Sequence, residues 1–94
     1  MSTRREIVTL HGRVQMVGYR ERVMEIASGR AVAGTVRNLR TGQLEIDVEG
    51  ENDALDAFVD AVIALRPSLA HIEAVQRRPA ILRGLSSFER APTG

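Results

Sequence analysis

Residues 40–50 read RTGQLEIDVEG. Thr41 and Gly42 have the composition of a hairpin turn, in which glycine supplies backbone angles that other residues resist. The seven residues after Gln43 alternate, with Leu44, Ile46 and Val48 predicted to face a core and Glu45, Asp47 and Glu49 to face water. An antiparallel hairpin with one buried face is therefore expected here, its partner strand running over 32–38.

The pattern extends outward from this hairpin. Residues 6–14 alternate as a first strand, with Val8, Leu10, Gly12 and Val14 on one face. Tyr19, Val23, Met24 and Ala27 recur at helical spacing over 19–28, and Gly29 is a candidate left-handed stop. Leu55, Phe58, Val59, Val62 and Ile63 form the stripe of a second helix over 52–65, with Asn52 or Asp53 as candidate caps and Pro67 closing it. Residues 71–78 and 86–90 read as weaker strands. Strand, helix, strand, strand, helix, strand is the order of a ferredoxin-like α+β sandwich (βαββαβ), an antiparallel sheet of four to five strands with two helices on one face. Residues 1–90 are expected to form its single domain and 91–94 a flexible tail.

Composition removes several classes of function. The 94 residues include no cysteine, which excludes a thiol nucleophile or a cysteine metal site, and His11 and His71 stand apart in sequence. No metal site and no cofactor are expected. Three aromatic residues and a net charge of +1 fit poorly with nucleic-acid binding, which needs stacking side chains and a basic surface. No apolar run reaches the ~20 residues of a membrane span, and MSTRREIV lacks a signal-like apolar stretch. The expectation is a cytoplasmic protein, monomeric, with a small-molecule partner. All thirteen basic residues are arginine, so an arginine draws attention only by its position.

One position does so. Residues 15–20, Gln15-Met16-Val17-Gly18-Tyr19-Arg20, lead from the first strand into the first helix. Amides at a helix start lack internal partners, and the helix dipole favours an anion there. Arg20, in the first turn, could add bidentate hydrogen bonds to a phosphate. The plainer alternative is a connecting loop with Arg20 in solvent. Arg37 and Asn38, at the end of the second strand, likewise read either as site residues or as an exposed strand charge and a turn residue.

These residues carry a resemblance. Gly12-Arg13-Val14-Gln15-Met16-Val17-Gly18-Tyr19-Arg20 and Gly34-Thr35-Val36-Arg37-Asn38 resemble the two motifs of the acylphosphatases, Gly-(Lys/Arg)-Val-Gln-Gly-Val-x-(Phe/Tyr)-Arg and Gly-(Trp/Thr/Tyr)-Val-x-Asn. Arg20 and Asn38 stand eighteen residues apart, as they do in that family. Gly42, Gly50, Phe58, Pro67, Ala70, Ile72, Val75 and Phe88 extend the likeness over about residues 5–90. The resemblance implies hydrolysis of the carboxyl–phosphate bond of acyl phosphates without metal or covalent intermediate. It implies that the amides of Gln15, Met16, Val17, Gly18, Tyr19 and Arg20, with the Arg20 guanidinium, cradle the phosphoryl group, and that Asn38 holds the attacking water. Thr35, Thr41 and Arg66 depart from the family pattern in ways that bear on packing and caps.

Met16 departs in a way that bears on activity, because it stands where the family has glycine. Either the position needs a positive φ and Met16 is strained, or the side chain crowds the cradle, or it points outward. If it spoils the cradle, the chain would be a catalytically weakened anion-binding or regulatory module of the same fold.

Overall fold

A computed structural model describes residues 2–94. Its elements run β1 (Thr3–Arg13), α1 (Tyr19–Ser28), β2 (Val32–Asn38), β3 (Leu44–Glu51), α2 (Asn52–Ala64), β4 (His71–Ala80) and β5 (Phe88–Arg90). The sheet order is β4-β1-β3-β2-β5. β1 pairs antiparallel with β3 and β4, and β2 antiparallel with β3. This is the ferredoxin-like arrangement. The short β5 pairs with β2 in parallel, the one pairing that departs from the expected antiparallel pattern.

The hairpin forms as read. Leu39 N–H donates to the Gln43 carbonyl at 2.9 Å and Gly42 N–H to the Leu39 carbonyl at 3.0 Å, with Gly42 at φ 103°. Leu44, Ile46 and Val48 are buried, opposite Val8 and Leu10 of β1 and beside Val36 of β2. Leu55, Phe58, Val59 and Val62 from α2, with Tyr19, Val23 and Ile26 from α1, complete that core.

The other face of β3 is not simply wet. Glu49, expected in water, is buried and accepts backbone N–H bonds from Arg83 (2.6 Å), Gly84 (3.3 Å) and Leu85 (2.9 Å). Those donors lower its carboxyl pKa, opposed by desolvation. Asp47 is held by Arg5 at 2.7 and 2.8 Å. Strand alternation puts both acids on the face away from the helices, where residues 83–85 cover Glu49.

Local expectations are corrected at three points. Gly29 ends α1 at φ −101°, in the right-handed half of the map, and the Arg30 N–H reaches the Ala27 carbonyl at 3.0 Å. The α2 N-cap is Glu51 with no side-chain cap bond, so neither Asn52 nor Asp53 caps the helix; Asn52 N–H instead donates to the Ser2 carbonyl at 3.0 Å. The regular alternation of residues 6–14 breaks between His11 and Gly12, where the β1–β4 register shifts. Gly12 stands at φ 127°, and a Cβ there would strike the His71 carbonyl oxygen.

Residues 91–94, expected to be flexible, follow β2 in this structure. Ala91 N–H donates to the Val36 carbonyl (2.9 Å), Gly94 N–H to the Asn38 carbonyl (3.0 Å) and Arg40 N–H to the Gly94 carbonyl (2.7 Å). No helix of the described residues is long and apolar enough to cross a membrane.

Candidate active site

The loop after β1 turns through two left-handed residues before α1 begins. Met16 stands at φ 61°, and Gly18, the α1 N-cap, at φ 78° and ψ 19°. Two such residues bracketing Val17 reverse the chain tightly enough to start a helix at Tyr19. The first helical bond runs from Arg22 N–H to the Gly18 carbonyl at 3.1 Å. The amides of Tyr19, Arg20 and Glu21 therefore have no partner inside the helix. Glu21 is the acidic residue of the first turn.

Two side chains anchor this loop. Gln15 Nε2 donates to the carbonyl oxygens of Leu39 (2.7 Å) and Gln43 (2.9 Å), joining the loop to the β2–β3 hairpin. The Tyr19 hydroxyl, buried, donates to the Val62 carbonyl at 2.6 Å in the last turn of α2. Burial pushes the Tyr19 pKa up to about 12, against the opposing effect of Arg66 and Arg22.

A pocket of about 100 Å³ opens where the loop faces the end of β2, lined by Val14, Met16, Gly18, Tyr19, Arg20 and Asn38. Arg20 is half-buried, and among the described residues no side-chain hydrogen bond or ion pair engages its guanidinium. Asn38 Oδ1 is buried without a partner. A buried amide oxygen without a partner is costly, and the residue that carries it lines this pocket. The Met16 side chain is 100% exposed. Met16 has its φ in the left-handed region, and the exposed residue also lines the pocket.

The other side chains of 15–20 serve the fold. Gln15 faces the hairpin and Val17 packs against the core. Arg37 pairs with Glu45 at 2.8 Å, which fits its reading as a strand charge. Two further residues line the same pocket, Glu21 and Arg90. Among the described residues no group of three or more His, Cys, Asp or Glu side chains could hold a metal ion.

Residues 6–89 match the family model for Acylphosphatase. The chain belongs to the acylphosphatase family. It is 34% identical over 85 residues to an acylphosphatase of Methanospirillum hungatei, covering 90% of this chain and 93% of that one. An acylphosphatase of Nocardioides sp. is 41% identical over 85 residues, with 86% and 81% covered. The crystal structure of an acylphosphatase from Bacillus subtilis superposes with a TM-score of 0.87 at 31% identity, over 96% of this chain and 99% of that one. The enzyme class is thus that of acylphosphatases, hydrolases of acyl phosphates.

Within that family reading, Arg90 and Glu21 are the pocket residues that sequence reasoning missed. Glu21 adjoins Arg20 and carried a signal in its place in the first helical turn. Arg90 lies seventy residues from Arg20 in the chain, and only the pairing of β5 with β2 brings it to the pocket.

Proposed function

We propose that this acylphosphatase hydrolyses small acyl phosphates with the phosphoryl group held by the 15–20 loop and Arg20 and the attacking water held by Asn38. The observation that carries this reading is the single pocket lined by Gly18, Tyr19, Arg20 and Asn38. The loop and helix amides with the guanidinium supply fixed positive charge to the peripheral phosphoryl oxygens. In a loose phosphoryl transition state that charge and correct positioning supply most of the rate. The Asn38 side-chain amide hydrogen-bonds the water, turning the water's lone pair toward phosphorus. The new P–O bond forms as the bond to the acyl oxygen breaks, the carboxylate leaves with the electron pair, and the water's proton passes to a phosphate oxygen. A carboxylate leaves readily, so a strong general acid is not required.

The alternative, an anion-binding module weakened by Met16, loses support from the full exposure of that side chain. What remains of it is the backbone angle, which a glycine at the same position would adopt freely.

The test is phosphate release from acetyl phosphate in the presence of a chelator. Arg20→Ala and Asn38→Ala should each lower kcat/KM by about 10²–10³-fold, as removal of one preorganised transition-state contact does, with the thermal melt unchanged. Turnover indifferent to both substitutions would refute the assignment.

A further inference from the structure

Arg90 closes β5, and its Cα partner in the parallel pairing is Val36. Paired residues of neighbouring strands project on the same face, and alternation carries that face to Phe88 on one strand and Asn38 on the other. The face is the helix side, since Val36 is fully buried and the Phe88 ring packs tilted against Phe58 of α2, centroids 5.5 Å apart. Alternation alone would call for an apolar side chain at position 90. The arginine there is exposed, and it lines the pocket with Arg20 and Asn38.

We propose that Arg90 is a second phosphate-binding cation of this site, acting with Arg20 on one phosphoryl group; the inference rests on the reading of the 15–20 loop as a phosphate cradle. Three observations carry it. First, Arg20 and Arg90 line the same pocket of about 100 Å³, together with Gly18 and Asn38. Second, among the described residues no side-chain partner engages Arg90 or Arg20; Arg13, Arg30, Arg40 and Arg78 share this, but of the six only Arg20 and Arg90 line this pocket. Two like charges at one pocket repel each other without an anion, and a phosphate dianion converts that repulsion into bidentate attraction. Third, the backbone that carries Arg90 is fixed. Ala91 N–H bonds to the Val36 carbonyl and Gly94 N–H to the Asn38 carbonyl, so the chain on its C-terminal side follows β2 up to the proposed water-holding residue. Glu21 at the rim opposes an anion, and a lone Arg20 would leave that carboxylate nearly balanced. The second guanidinium gives the pocket a net positive charge.

The experiment is calorimetric titration of inorganic phosphate into wild type, Arg90→Gln, Arg90→Lys and Arg20→Ala, each first checked by thermal melt. Arg90→Gln should weaken phosphate binding about tenfold, the scale of one charge-assisted bond at a half-open site, and flatten its salt dependence. Arg90→Lys should recover most of the loss, since it restores the charge. If Arg20→Ala weakens binding and Arg90→Gln binds within twofold of wild type, the role of Arg90 is overturned while the cradle stands. If neither substitution matters, or wild type binds no phosphate, the cradle reading falls with it. A change confined to the ranking of different acyl phosphates would also overturn the proposal, because it would assign Arg90 to the acyl end.

Discussion

Gln15 Nε2 donates to the Leu39 carbonyl oxygen at 2.7 Å, one residue beyond Asn38. The loop that follows β1 is thereby joined to the strand end that carries the other half of the pocket, and a second bond to the Gln43 carbonyl at 2.9 Å fixes the side chain's direction. Both acceptors also serve the hairpin's own backbone, so Gln15 adds a brace where the turn already exists. Gln15→Leu should cost about 1–2 kcal/mol of stability, the net worth of two ordinary hydrogen bonds. It should cost more in catalysis, with kcat/KM for acetyl phosphate falling about 10–100-fold as Arg20 and Asn38 lose their fixed separation. Gln15→Glu should not rescue it, because a carboxylate cannot donate to a carbonyl. Steady-state kinetics beside thermal melts check both parts, and a stability loss with unchanged kcat/KM would deny Gln15 its positioning role.

Tyr19 bonds a carbonyl in the last turn of α2, where helix carbonyls lack internal donors. Tyr19→Phe should destabilise the fold by about 1–2 kcal/mol, lowering Tm by roughly 4–8 °C per kcal/mol in a domain of this size. The pH dependence has a definite sign. Burial raises the hydroxyl's pKa to about 12, above the value near 10 of an unfolded chain. The neutral phenol's contribution is whole below pH 10 and declines as pH rises from there toward about 12, because the unfolded state ionises first. Tyr19 is the sole tyrosine, and lysine and cysteine are absent, so tyrosinate absorbance reports this one group in the alkaline range. A tyrosinate midpoint near 10 in the folded protein would contradict the burial, as would identical alkaline unfolding of wild type and Tyr19→Phe.

How much of this was legible beforehand depended on whether the cause was local. The 44–50 alternation follows from one residue's relation to the next, and the hairpin formed where it was read. β4 read weakly because it is an edge strand with most side chains exposed, so no apolar period marks it. Glu49 read as a solvent residue because its cover, the backbone of residues 83–85, lies more than thirty positions away in sequence. Arg20 and Asn38 were found because two motifs stand at a recognisable separation. Arg90 was not, since its approach depends on a three-residue strand pairing in parallel with β2, and nothing in FER announces that partner.

Met16 combines a backbone cost with a fully exposed side chain, and the two can be measured apart. At φ 61° a residue with a Cβ gives up about 1–2 kcal/mol relative to the right-handed region, which glycine does not. Against this, glycine enlarges the unfolded ensemble by about 0.4–1 kcal/mol. Met16→Gly should therefore leave stability unchanged or raise it by roughly 1 kcal/mol, a Tm gain of a few degrees. Activity is a separate question, because the side chain is fully exposed and the loop is held by Gln15 and Tyr19 whichever residue stands at 16. The expected kcat/KM for acetyl phosphate is within about threefold of wild type, a difference below the ~1.4 kcal/mol that a tenfold change requires. Met16→Ala should share the strain and match wild type in both respects. A rise of a hundredfold or more in Met16→Gly would mean that the native loop is a damaged cradle, and would favour the weakened-module reading over the enzyme proposed above.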